Sequence, residues 1–118
     1  MTINETPHGT IEISPNAIAT LASHAALQTY GVVGMASPNL ASDIAASITR
    51  DPNRGIQVRQ EDGQVIIDVY VIIEYGTRIA SVATSLINAV RYTVEQSIGV
   101  PVGQVNVHVQ GLRVSRDS

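Results

Sequence analysis

The chain has 118 residues, of which 44% are hydrophobic and only 14% charged, with a formal net charge of −3. That balance is too apolar for a disordered chain, and its acidic sign argues against a nucleic-acid partner. Every basic residue is arginine and there is no cysteine, which excludes Schiff-base chemistry, a P-loop, a thiol nucleophile and a disulfide framework.

The N-terminal Met1–His8 stretch has neither a basic segment nor an apolar one, so it reads as a polar tail and not as a signal peptide. Gly9–Ile13 then alternates polar and apolar residues, as a half-buried strand does. Ser14-Pro15 opens a helix over Pro15–Thr29: serine caps free amides, and proline suits the first helical position because its missing donor is not needed there. Ile18, Leu21, Ala22, Ala25 and Thr29 form its apolar stripe. Gly31–Ala36 reads as a short strand. The spacing of Leu40, Ile44 and Ile48 predicts a short helix over Asn39–Thr49, and Asp51–Gly55 has the composition of a turn.

Ile56–Gln60 alternates, Glu61-Asp62-Gly63-Gln64 supplies a hairpin turn, and a long strand follows. Val65, Ile67, Val69, Val71, Ile73 and Tyr75 share one face of it; Ile66, Asp68, Tyr70, Ile72 and Glu74 share the other. After Gly76, Thr77 is placed to cap a helix over Arg78–Ile98, with Ile79, Val82, Ala83, Leu86, Val90, Thr93 and Val94 as its stripe. Gly99 and Pro101 close that helix. The last strand, Val105–Gly111, turns its valines to the core and Asn106, His108 and Gln110 away, and Arg113–Ser118 reads as a second polar tail.

These periods predict an α+β two-layer sandwich with helices packed on one face of a mixed or antiparallel sheet, in the order β-α-β-(α)-β-β-α-β. One domain over residues 9–112 accounts for them. No apolar run approaches the ~20 residues a membrane helix needs, so a cytoplasmic protein is expected. The opposite sheet face is expected to carry Thr10, Glu12, Arg59, Asp68, Tyr70, Glu74, Asn106, His108 and Gln110 as a wet surface.

Chemistry on that face would need His108 beside Asp68 or Glu74, as a general base or a metal ligand. An open sheet face offers no pocket, so a solvated surface is the better reading. His8, His24 and His108 have no metal-ligand spacing, and Ser14, Ser23, Ser37 and Ser42 sit in no nucleophile elbow. Gly31-Val32-Val33-Gly34 lacks the third glycine of a phosphate loop, and Gly76-Thr77-Arg78 reads as a strand stop followed by a helix start. With Tyr70 the one aromatic among carboxylates, the face is a poor RNA platform. Leu27, Ile66 and Ile72 fall off their elements' core-facing positions and hint at a partner surface. No catalytic, cofactor or metal residue is expected. The candidate interaction surface is Leu27, Ile66, Asp68, Tyr70, Ile72, Glu74, Asn106, His108 and Gln110.

Five segments in order resemble the alkaline-shock-protein family of bacterial envelope stress response proteins. They are Gly9–Pro15, Gly31–Met35, Val65–Tyr70, Glu74–Gly76 and Val105–Gly111. The resemblance implies a non-enzymatic bacterial protein of cell-envelope homeostasis that acts through protein contacts near the inner face of the membrane. It also implies a membrane-anchored partner, and no family residue roles to carry over. A homo-oligomer is expected from the polar sheet face, the off-pattern Leu27, Ile66 and Ile72 and the resemblance, either through that face or through an unguarded edge at Ile11–Ile13 or Val105–Val109. The competing readings are a small-molecule or anion-binding regulatory domain built on Gly76-Thr77-Arg78, and a hydrolase around His108 and Asp68.

Overall fold

The computed structural model describes residues 2–38 and 51–114. In chain order the elements are β1 (Thr2–Thr6), β2 (Gly9–Glu12), α1 (Pro15–Leu27), β3 (Val32–Met35), a 3-10 turn (Pro52–Gly55), β4 (Ile56–Glu61), β5 (Gln64–Glu74), α2 (Ile79–Ile98) and β6 (Val102–Arg113). The α+β class agrees with the sequence, the order of elements does so apart from the added first strand, and the sheet is mixed. The helix expected over Asn39–Thr49 falls outside the described residues.

β5 is the axis of the main sheet. β6 runs parallel to it from Val65↔Val102 to Glu74↔Arg113. β4 pairs antiparallel with its first half, through Ile56↔Val69 and Glu61↔Gln64, and β3 with its second half, through Val32↔Ile73 and Met35↔Val71. Since β6 occupies one edge of β5 along its length, β3 and β4 share the other, end to end. A parallel neighbour requires a crossover, and α2 supplies it.

Alternation along β5 sends Ile67, Val69, Val71 and Ile73, all fully buried, into one core with Ile18, Ala22 and Ala26 of α1 and Val82, Leu86, Val90 and Val94 of α2. Each aliphatic side chain buried there contributes about 1.5–3 kcal/mol. Alanines dominate the buried stripe of α1, so that helix can approach α2 and the sheet closely. Ser14 caps α1: its Oγ accepts the Ala17 N–H at 3.1 Å. α2 ends at Gly99, whose left-handed φ of 79° closes the helix at no steric cost.

Two close approaches explain particular residues. Gly31 has φ +93°, and a Cβ built there would lie 2.7 Å from a methyl of Val82. Its carbonyl accepts the Glu74 N–H at 2.8 Å, tying the α1–β3 loop to the end of β5. Asn53 ties the 3-10 turn to α1: its Nδ2 donates to Thr20 Oγ1 at 2.8 Å and to Asn16 Oδ1 at 3.2 Å. Its Oδ1 accepts from the buried Ser23 hydroxyl at 3.0 Å.

The structure corrects the sequence reading in several places. The first residues are no tail: Thr2–Thr6 pairs antiparallel with Gly9–Glu12. Thr6 holds the turn, donating to the Gly9 carbonyl and accepting from the His8 amide. Nor is β2 half-buried in the main sheet. It belongs to a separate two-stranded sheet, and all its residues are exposed, so Thr10 and Glu12 leave the wet face. α1 stops at Leu27, before Thr29. Thr77 does not cap α2; its hydroxyl donates back to the Glu74 carbonyl at 2.7 Å, and Arg78 stands at the cap position without a side-chain bond. Tyr75 lies beyond the end of β5 and is exposed, as is Ile79 in the first turn of α2. The second tail begins later than expected, because β6 continues to Arg113, whose carbonyl accepts the Tyr75 amide at 2.8 Å.

Candidate functional site

Parallel pairing of β5 with β6 brings Asp68 beside Asn106 and Tyr70 beside His108, on the sheet face away from the helices. Antiparallel pairing with β4 sets Gln57 opposite Asp68 and Arg59 opposite Ile66. The result is a polar cluster centred on Asp68, whose side chain is 10% exposed.

Both carboxylate oxygens of Asp68 are engaged. Oδ1 accepts from Asn106 Nδ2 at 3.1 Å and lies 3.1 Å from His108 Nε2; Oδ2 lies 3.3 Å from Arg59 Nε. An ionised carboxylate only accepts, so Nε2 of His108 carries the proton in this contact. Burial pushes the Asp68 pKa up. The hydrogen bonds from His108 and Asn106 and the charges of Arg59 and His108 outweigh it, and the net effect holds the group below the ordinary aspartate value. Arg59 also pairs with Glu61, and the Tyr70 hydroxyl donates to Gln57 Oε1 at 3.3 Å. The His108 ring stacks on Tyr70, with centroids 4.4 Å apart and planes 11° from parallel.

This geometry is that of a fixed surface. A carboxylate with donors on both oxygens and a lowered pKa is a weak proton acceptor, since a general base works best with a pKa near the working pH. Its hydrogen bonds hold Asn106 and His108 on β6 and its ion pair holds Arg59 on β4, the two strands that flank it. Half-exposed His108 and its stacked partner Tyr70 present a flat aromatic and polar patch.

Of the nine residues expected to form an interaction surface, the structure brings Asp68, Tyr70, Asn106 and His108 together. Asp68 sits beneath the patch as its anchor. Ile66 and Ile72, 7% and 1% exposed, are buried on the same face and offer no contact area. Leu27 is exposed, but on α1 in the helical layer. Glu74 lies at the far end of β5, paired with Arg113, and Gln110 falls at an irregularity of register where it has no cross-strand partner. The candidate surface did not include Gln57, Arg59 or Glu61: the alternation of Gln57 and Arg59 was visible but not the register that sets them beside Asp68, and Glu61 read as part of the hairpin turn, whereas it ends β4.

Clefts among the described residues also lie away from this face. One of about 470 Å³ is lined by Gln60, Gln64, Val100, Pro101 and Gly103 at the β4–β5 turn. Two more flank Tyr30, which is 86% exposed: about 410 Å³ along Val32, Val33 and Glu74, and about 300 Å³ along Thr77, Arg78, Ser81 and Ser85 at the start of α2. Among the described residues no cluster of three or more His, Asp or Glu side chains could hold a metal ion. No helix there is long and apolar enough to cross a membrane.

The model of the alkaline shock protein 23 family, described by a cell envelope-related function, matches residues 3–114. The chain belongs to that family. The match takes in the β1–β2 hairpin as well as the main sheet. The chain is 49% identical over 112 residues to the uncharacterized protein YloU of Bacillus subtilis, covering 93% of each. It is 35% identical to the uncharacterized protein Spy1614 of Streptococcus pyogenes, covering 92% of each, and 28% identical to the uncharacterized protein YqhY of B. subtilis, covering 92% of this chain and 81% of that one. Its function is therefore envelope-related, and the family is not known as one of enzymes.

Proposed function

We propose that this protein serves the bacterial cell envelope as a non-enzymatic contact protein, meeting protein partners at the inner face of the membrane. The observation that carries the reading is the closed network around Asp68. Its polar groups satisfy one another, which leaves His108, Tyr70 and Gln57 as a pre-set surface of low ordering cost for a partner. The family's envelope-related description supports where that partner resides.

The test is site-specific photo-crosslinking in living cells from position 57 on the patch, and from Asn88 on α2 as a control, with membranes kept in the lysate. The expected result is an envelope-associated protein joined to position 57 and not to position 88. A purified protein with a specific catalytic activity that disappears in His108→Ala would overturn the reading, as would crosslinks from position 57 to no envelope protein.

A further inference from the structure

We propose that β6 pairs antiparallel with β6 of a second copy of this chain, about a two-fold axis at Val107, joining two main sheets edge to edge. The proposal rests on the contact-protein reading above and names one of its surfaces and partners.

Among the described residues β6 has β5 as its one strand neighbour, so its outer edge carries unpaired backbone groups. Proteins normally blunt such an edge with lysine, proline, an inward charge, a bulge or a short strand; the irregularities of β6 lie at Gly103 and Gln110 and leave its central stretch regular. β6 runs from Val102 to Arg113 with no lysine, no proline and no charge before Arg113. Apolar side chains along it remain uncovered: Val109 is 36% and Leu112 38% exposed. An edge of this kind is competent to take up a strand.

Which strand it takes follows from the sequence. Read outward from Val107 in both directions, the strand nearly mirrors itself: Asn106 and His108, Val105 and Val109, Gln104 and Gln110, Gly103 and Gly111, Val102 and Leu112. An isologous two-fold contact requires a self-complementary surface, and in an antiparallel pair it sets each residue opposite its mirror position. About Val107, valine meets valine on one face of the joined sheet, while asparagine meets histidine and glutamine meets glutamine on the other. The regular part of the ladder with β5 agrees with this centre. The register slips at Gly103 and at Gln110, so Val105–Val109, which is symmetric about Val107, lies wholly within straight strand. The two slips bracket that stretch, and Gln104 and Gln110 form the outermost pair at its ends.

The experiment is sedimentation of the purified chain across the micromolar range, with a pair of charge variants. The wild type is expected at twice the 12.5 kDa chain mass. Q104K/Q110K sets like charges opposite each other at both ends of the pairing, and weakens the dimer by at least about tenfold with little change in melting temperature. Q104K/Q110E sets opposite charges there and keeps the dimer. A wild-type monomer throughout the range, a Q104K/Q110K dimer as tight as wild type, or a monomeric Q104K/Q110E would each overturn the proposal.

Should a charge variant fail to fold, single cysteines in this cysteine-free chain give an independent answer. A crosslinker shorter than about 10 Å joins Q104C to Q110C when the two variants are mixed, and joins neither to itself, because like positions then lie roughly 20 Å apart at ~3.4 Å per residue. Failure to crosslink the mixture overturns the proposal. The envelope reading is separable: a monomeric chain that still crosslinks to an envelope protein from position 57 loses this interface and keeps that function.

Discussion

The two faces of β5 are built from alternate residues of one strand and do different work. On one face Ile67, Val69, Val71 and Ile73 meet two helices in a wholly apolar core. On the other, Asp68 is buried too, but its surroundings are polar and its burial is offset by Asn106, His108 and Arg59. The first face gains stability from removing area from water. The second also buries Ile66 and Ile72, but around Asp68 it gains little, because hydrogen bonds among polar groups mostly replace those made to water, and what it obtains there is a defined surface.

Breaking the helical face should have the largest effect. Leu86 is fully buried on α2, and Leu86→Ala is expected to cost about 2–5 kcal/mol in urea denaturation, through lost transfer energy and the cavity left behind. Gly31→Ala should come next, at about 1–3 kcal/mol. It demands a positive φ from a residue with a side chain and drives a Cβ against Val82, so Gly31→Ala/Val82→Ala should recover part of the loss that Val82→Ala alone does not explain.

The polar face should respond to pH where the helical face does not. The folded-state pKa of Asp68 is depressed, so its contribution is present above the ordinary aspartate value of about 4 and is lost as pH falls through the lower folded value. Asp68→Asn should therefore cost about 1–2 kcal/mol at pH 7, and the gap to wild type should narrow below pH 4 in parallel denaturation curves. Leu86→Ala should show no such narrowing. The smallest effect belongs to the β1–β2 hairpin. Ile11 is 48% exposed, and Ile11→Ser should change stability by less than about 0.5 kcal/mol.

The contrast between the faces also explains what could be read in advance. The stripes of both helices and the period of β5 were legible because each records a core contact at a fixed spacing. So was the proximity of His108 to Asp68, once β5 and β6 were imagined as neighbours. The hairpin was not legible, since Thr2–Thr6 is as polar as a tail and its pairing lies in backbone bonds that composition does not record. Asn53 read as a turn residue because its partners Asn16, Thr20 and Ser23 are distant in sequence. Ile66 and Ile72 looked like exposed apolar residues on a wet face, yet both are buried, because alternation assigns a side of the sheet and not its exposure.

The division of labour between the faces is tested most directly by comparing Leu86→Ala with the double variant Tyr70→Ala/His108→Ala in one experiment that follows both unfolding and co-sedimentation with envelope membranes. Leu86→Ala is expected to lose several kcal/mol yet still co-sediment while folded. The double variant should lose about 1 kcal/mol or less and leave the membrane fraction. A double variant that remains with the membranes at wild-type levels would contradict that division of labour.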